Sequence, residues 1–171
     1  MPYFSWSPAY SVGLREIDLQ HKSLVQAVNA LHVALHSEQG AKDLSWILNF
    51  LANYTTEHFQ REEELMELFA FPQQEEHVQL HKELLGQVGA FLGRYQSGEE
   101  AISQDLLDFL KRWLVVHIGD EDRRLGTHIQ NCQDSSVDSN QGPSGLEGLI
   151  EALPRFSVGN TNLVWALDWL H

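Results

Sequence analysis

Along residues 43–96, apolar side chains and a few polar ones recur in steps of four and three residues. This spacing places them on one face of an α-helix. In the first run these positions are Leu44, Leu48, Leu51, Thr55, His58, Glu62, Leu65 and Phe69. In the second run they are His77, His81, Leu84, Val88, Phe91 and Tyr95. Phe71-Pro72 separates the runs, and proline ends one helix and can occupy the first position of the next. The pattern predicts two antiparallel helices, at about 43–69 and 73–96.

Two further helices complete the pattern. Between residues 16 and 40 the core-facing positions are Ile17, His21, Leu24, Val25, Val28, Leu31 and Leu35. The fourth helix begins near Ser103, and its core-facing positions are Ile102, Leu106, Phe109, Trp113 and His117. We therefore predict an all-α fold, an antiparallel up-down four-helix bundle over residues 1–131.

The two ends of the chain differ from the bundle. Residues 1–15 have no helical period and carry aromatic side chains, so we expect an N-terminal arm packed across the bundle by Tyr3, Phe4, Trp6 and Tyr10. Residues 132–145 are rich in Ser, Asn, Asp and Gly and are typical of a linker. Residues 146–171 become apolar again, with Trp165 and Trp169 at helical spacing, and predict a C-terminal helical extension. Such a helix should dock on the bundle, pair in a homodimer or begin a further domain.

Polar residues occupy several of the core-facing positions. His58 and Glu62 share one helix face, and His77 and His81 share another. A buried carboxylate and buried imidazoles are costly unless they are paired or metal-bound. Any one of these histidines, like His21, could be a hydrogen-bonded core residue, but together they favour a metal site. His32 and His36 lie toward the far end of their helix, where we expect structural or solvent-exposed roles.

The fourth helix carries His117 and, five residues later, Asp122. Five residues turn a regular α-helix about 140° past a full turn, so these two side chains cannot share a face. If both are ligands, a π-bulge or a loosened helix must lie between them. Gly119, a weak helix former, makes that distortion easier.

Charge and composition narrow the class of protein. Eleven basic and twenty-four acidic residues give a net charge of −13, which argues against nucleic acid or an anionic membrane as a partner. The single cysteine, Cys132, excludes an intramolecular disulfide. No apolar run reaches the ~18 residues of a membrane span, and the N-terminus has no signal-peptide pattern. We expect a cytoplasmic protein without membrane insertion.

Five histidines, one glutamate and one aspartate stand in the order His21, His58-x-x-x-Glu62, His77-x-x-x-His81, His117-x-x-x-x-Asp122. This pattern resembles the hemerythrin family, specifically its bacterial members. The similar segments are SVGLREIDLQHKSL, YTTEHFQREEELM, HVQLH and WLVVHIGDED, within residues 6–130.

The resemblance implies two non-haem irons bridged by Glu62, Asp122 and an oxo or hydroxo group. One iron would take His77, His81 and His117. The other would take His21 and His58 and keep an open position for reversible O2 binding.

The donor types independently favour O2 binding over oxygenase chemistry. Ferritin-like di-iron enzymes use four carboxylates and two Glu-x-x-His pairs, and the chain has no Glu-x-x-His. Five neutral imidazoles donate less charge, which disfavours high-valent iron. Zinc hydrolysis is a weaker alternative, because seven ligands are too many for one tetrahedral ion. The apolar residues Trp113, Leu114, Val115 and Ile118 are candidate walls of an O2 pocket, although each could equally be ordinary core packing.

Three roles follow from O2 chemistry at such a site. We expect a non-enzymatic oxygen or redox sensor that feeds a fused or partner signalling output domain, because a store needs no linker and second element. The alternatives are an O2 carrier or store and a di-iron enzyme that processes peroxide or nitric oxide.

Overall fold

The computed structural model describes residues 1–37, 41–99 and 101–137, and within these ranges the regular structure is helical. The helices are α1 (Arg15–Leu35), α2 (Ala41–Leu68), α3 (Gln74–Gln96), α4 (Gln104–His117) and α5 (Arg123–Val137). A π-helical turn, Ile118–Asp122, joins α4 to α5, so that the two form the fourth arm of the bundle. α1 packs against α2 and α4, and α2 also packs against α3. The predicted four-helix bundle is confirmed.

The ends of the helices follow from local chemistry. Ser103 caps α4 by accepting a hydrogen bond from the backbone N–H of Leu106. α2 ends where Ala70 adopts a left-handed conformation, with φ of 48°, and Pro72 follows. α3 ends at Gln96, two residues before Gly98, where φ is 77°. The connections predicted from the sequence lie within one or two residues of these positions.

The linker predicted at 132–145 is helical at its start, because α5 continues to Val137. Its polar composition favours a linker, but no glycine or proline occurs between Gly126 and Gly142 to end the helix. Residues 138–145 and the extension predicted at 146–171 lie outside the described residues. The chain separates into one compact unit at Met1–Gln130 and a second at Asn131–His171, and the features below belong to the first. Among the helices that the structure describes, none is long and apolar enough to cross a membrane.

The buried face of α4 differs from the prediction by one residue. Its buried side chains are Leu107, Leu110, Leu114 and His117. Leu106, Phe109 and Trp113, which the spacing placed in the core, are only half-buried. α4 carries two adjacent apolar rows, and its packing in the bundle decides which row is covered.

The N-terminal arm is held by polar contacts to its own backbone. Asn29 accepts a hydrogen bond from the Phe4 N–H at 2.8 Å and donates its side-chain amide to the Phe4 carbonyl at 2.7 Å. Lys111 Nζ donates to the Tyr3 carbonyl at 2.8 Å. Phe4 and Val12 are the buried residues of the arm, which therefore packs across α1 and α4 as expected.

Candidate metal centre

The four helical arms of the bundle bring the seven predicted site residues together. One group contains Glu62, His77, His81, His117 and Asp122, and the other contains His21, His58, Glu62 and Asp122. Within each group one potential ligand atom per residue lies within 4.8 Å of all the others, and every member is buried. The two carboxylates belong to both groups, so the groups are adjacent and share a side.

Glu62 divides its two carboxylate oxygens between the groups. Oε1 lies 3.5 Å from His58 Nε2 and 3.8 Å from His21 Nε2. Oε2 lies 3.2 Å from His81 Nε2 and 3.8 Å from His77 Nε2. This carboxylate is placed to contact two cations at once.

Asp122 divides its oxygens in the same way. Oδ2 lies 3.1 Å from His21 Nε2, whereas Oδ1 lies 3.1 Å from the Nε2 atoms of both His77 and His117. Two carboxylates therefore face two clusters of imidazole nitrogens, one oxygen to each cluster.

The polar atoms inside the cluster have too few hydrogen bonds for buried groups. Both oxygens of Glu62, both oxygens of Asp122 and both ring nitrogens of His21 have no partner in hydrogen-bonding geometry among the described residues. His117 Nε2 lies 3.1 Å from the Nε2 atoms of both His77 and His81, and three such nitrogens cannot all be satisfied by sharing protons. Buried polar groups normally have partners. Lone pairs that converge without protons between them fit cations.

Burial and mutual proximity change the ionisation of these groups. Burial, followed by the neighbouring His117 and His77, lowers the pKa of His81 to about 2. Burial, and then His21, also lowers the pKa of His58 well below its ordinary value. The result is neutral imidazoles at physiological pH, which is the form that binds metals.

The two carboxylates are shifted in opposite directions. Burial and then the negative charge of Asp122 raise the pKa of Glu62 well above its ordinary value. Burial alone would raise the pKa of Asp122 too, but the imidazoles of His117, His21 and His77 outweigh it and hold that pKa well below its ordinary value. A cation between the two carboxylates would stabilise the charged form of both.

The π-helical turn is what places Asp122 in the cluster. Residues 118–122 form this turn between α4 and α5, and the Oδ1 atom of Asp122 comes within 3.1 Å of His117 Nε2. In a regular α-helix the two side chains would point about 140° apart. The distortion predicted between His117 and Asp122 is confirmed.

Two polar residues that the sequence analysis missed contact the outer nitrogens of the histidines. Gln20 Oε1 lies 2.9 Å from His58 Nδ1, and Glu63 Oε1 lies 3.1 Å from His81 Nδ1. A ring whose Nε2 faces a metal usually donates its other N–H to such a partner, which orients the ring. Their only signal in the sequence is their place beside the ligand positions, one residue before His21 and one after Glu62.

Aromatic rings pack against the histidines of the site. Phe59, which the sequence analysis also missed, stacks on His81 with ring centroids 3.7 Å apart and planes nearly parallel. Trp113 stacks on His117 at 4.2 Å. On the other side Trp6 of the arm faces His21 at 6.3 Å.

The candidate pocket residues divide by position on the helix. Leu114 and Ile118 are buried, and Trp113 is in contact with His117. Val115 is half-buried and lies two residues before His117, about 200° around the helix, which points it away from that histidine. His32 and His36 lie outside both groups, with their rings in tilted contact at the opposite end of α1, where His32 also stacks on Tyr3 of the arm.

Comparison with known proteins shows which family the chain belongs to. Residues 12–129 match the family described as hemerythrin HHE cation binding domain. The chain belongs to the hemerythrin family. The match covers the bundle and all seven residues of the two groups.

Relatives and solved structures agree with the family match. The chain is 33% identical to a bacteriohemerythrin of Stenotrophomonas maltophilia over 130 residues, which is 76% of this chain and 84% of the relative. It is 29% identical to a hemerythrin-like protein of Naegleria gruberi over 121 residues, 71% of this chain and 89% of the relative. A crystal structure of wild-type hemerythrin aligns with a TM-score of 0.71 and 26% identity, covering 74% of this chain and 98% of that chain.

Proposed function

We propose that the seven clustered residues bind a pair of non-haem iron ions and that this hemerythrin binds O2 reversibly at the pair. The division of the carboxylate oxygens carries the proposal, because both Glu62 and Asp122 offer one oxygen to each group of imidazoles. A carboxylate shared in this way balances charge on two cations. Imidazole and carboxylate are both suitable ligands for iron.

The imidazoles divide three to two between the metal positions. His77, His81 and His117 would hold one iron and His21 and His58 the other, and Glu62 and Asp122 would each offer one oxygen to both positions. The position with two histidines has fewer protein donors, which leaves room for an external ligand.

The residues around the site exclude water and keep the imidazoles in the neutral form that binds metal. A bound iron pair supplies the electrons that O2 binding takes up and returns. Burial keeps His58 and His81 neutral, so that their nitrogens are free for metal at neutral pH. Phe59, which stacks on His81, is buried, as are Leu114 and Ile118 on either side of His117 in the sequence, and these apolar side chains would exclude water.

Metal content and spectra test the proposal. We expect about two irons per chain and an absorption spectrum that changes with O2 and returns when O2 is removed. Glu62→Ala should lose the iron pair because both metals lose a shared anion. Glu67→Ala, which removes an exposed carboxylate from the same helix, should keep it. One zinc and no iron would refute the proposal, and turnover of peroxide or nitric oxide would favour the enzyme alternative.

A wall variant separates pocket from scaffold. Trp113→Ala removes the ring that stacks on His117 and should admit water and anions, so we expect faster autoxidation at unchanged iron content. Val116→Ala, at an exposed position on the same helix, is the matched control. Loss of iron with an unchanged oxidation rate would make Trp113 part of the scaffold.

For the biological role, we propose that the protein senses O2 or redox state for a fused or partner output domain. The arm supports this, because it contacts both the site and the helices around it. Trp6 faces His21, and the carbonyl of Ala9 accepts a hydrogen bond from Arg123, next to the π turn. A change at the iron pair would therefore alter the packing of the arm.

Hydrogen exchange distinguishes a sensor from a carrier. We expect protection of residues 1–13 and 145–171 to differ between the diferrous, oxygenated and diferric forms. Equal protection in all three forms would favour an O2 carrier or store.

A further inference from the structure

Gln20 and Glu63, which contact the Nδ1 nitrogens of two site histidines, differ in charge. His58 Nδ1 contacts the neutral amide oxygen of Gln20 at 2.9 Å, and His81 Nδ1 contacts the carboxylate of Glu63 at 3.1 Å. In both rings Nε2 faces Glu62 in the centre of the site. Nδ1 therefore carries the ring proton and donates it outward in both cases.

This difference separates the two metal positions. His81 belongs to the group with three histidines, and His58 belongs to the group with two. A carboxylate behind an imidazole makes the ring a more basic ligand than an amide does. An anion also stabilises a trivalent ion more than a divalent one, because the interaction grows with the charge of the metal.

Among the described residues, the Glu63 carboxylate pairs with His81 and with no lysine or arginine. By contrast Glu64, the next residue, accepts a hydrogen bond from Arg61 at 3.1 Å. The side chain of Glu63 is 38% exposed, so it lies at the edge of the site and needs no buried counterion.

We infer that Glu63 is a positioning residue that holds His81 and makes the three-histidine position the one that favours ferric iron. This inference rests on the proposed iron pair. Gln20 orients His58 without adding charge, and the two-histidine position remains the more easily reduced of the pair. The chain thus assigns different electron affinities to the two irons through two side chains that touch neither metal.

Glu63→Gln tests the charge while it keeps the size and the hydrogen-bond acceptor. Outer-shell substitutions change metal affinity roughly 10–100-fold. If ferric iron loses about tenfold more affinity than ferrous iron, the reduction potential of the three-histidine iron rises by about 60 mV, at 59 mV per tenfold for one electron. In a mediated titration each ferrous iron passes one electron to the oxidised mediator, and the titration reads this potential directly.

Two companion variants decide the interpretation. Glu64→Gln removes the same charge one residue away, on a side chain that contacts Arg61, and should leave both potentials unchanged. Gln20→Glu puts a carboxylate behind His58 and should lower the potential of the two-histidine iron by a similar amount.

The outcomes are distinct from those that test the iron pair itself. Wild-type protein without two irons would refute the proposed function. Iron-loaded protein in which Glu63→Gln matches Glu64→Gln would overturn the inference about Glu63 and leave the iron pair intact. If Glu63→Gln loses iron, Gln20→Glu supplies the decision, because an unchanged potential there shows that outer-shell charge does not tune this site.

Discussion

The turn between α2 and α3 contains a residue whose replacement by glycine should stabilise the protein. Ala70 has φ of 48°, in the left-handed region that favours glycine. It closes α2 in a pattern typical of helix ends, with the Phe71 N–H donating to the Met66 carbonyl at 2.9 Å. His128 contacts the neighbouring Phe69 carbonyl at 2.8 Å and fixes the turn against α5. The conformation of Ala70 is therefore set by contacts on both sides.

Two opposing terms give the size of the effect. A residue with a Cβ atom loses about 1–2 kcal/mol in the left-handed conformation. Glycine removes that loss but makes the unfolded chain more flexible, which costs about 0.4–1 kcal/mol. Ala70→Gly should therefore raise the free energy of unfolding by about 0.5–1 kcal/mol, or Tm by about 1–4 °C for a chain of this length.

Urea unfolding followed by far-UV circular dichroism measures this difference, with Ala52→Gly as the control. Ala52 is half-buried inside α2, where the same substitution should lower stability by about 1 kcal/mol. The two variants make one chemical change with opposite expected signs. If Ala70→Gly also lowers the free energy of unfolding, the turn does not strain Ala70, and the reasoning from its backbone conformation fails.

Other predictions concern packing and pH. A Cβ atom at Gly126 would lie 2.1 Å from a backbone oxygen of the N-terminal arm, so Gly126→Ala should lower the free energy of unfolding by about 1 kcal/mol. Gly89 has open space around it, so Gly89→Ala should raise the free energy of unfolding by a similar amount. Thermal unfolding compares the two variants. Iron-free protein should lose stability below about pH 6.5, where the unfolded chain protonates His58 and His81 but the folded state, which lowers both pKa values, does not. The raised pKa of Glu62 acts in the opposite direction, because the folded state then holds a proton that the unfolded chain lacks, so the slope should stay below the two-proton limit of about 2.7 kcal/mol per pH unit. A flat urea-unfolding profile between pH 6.5 and 5.5 would contradict this prediction.

The helical spacing was sufficient for the faces that carry a strict repeat. In α2 the four- and three-residue steps placed Leu48, Leu51, His58 and Glu62 on one face, and all four are buried. The same arithmetic required the helix to widen before Asp122, and the π turn confirms it. These predictions needed only the angle per residue, which every α-helix shares.

Spacing was insufficient where two neighbouring rows were equally apolar. On α4 it placed Leu106 and Phe109 in the core, although Leu107 and Leu110 are the buried pair. Val115 entered the candidate pocket through its apolar character, but its helical position turns it away from His117. One helix presents several acceptable faces, and the choice depends on which neighbour it meets.

The sequence by itself determined the helical faces and identified the seven residues that the structure brings together, because a fixed angle per residue relates spacing directly to direction along one helix. Only the tertiary structure decided which atoms meet across helices. It gives one oxygen of Glu62 to each cluster, stacks Phe59 on His81, and sets Gln20 and Glu63 on different histidines. Contacts between helices depend on the axial offset and rotation of each helix. These result from packing all four helices together and cannot be deduced from the sequence of one helix alone.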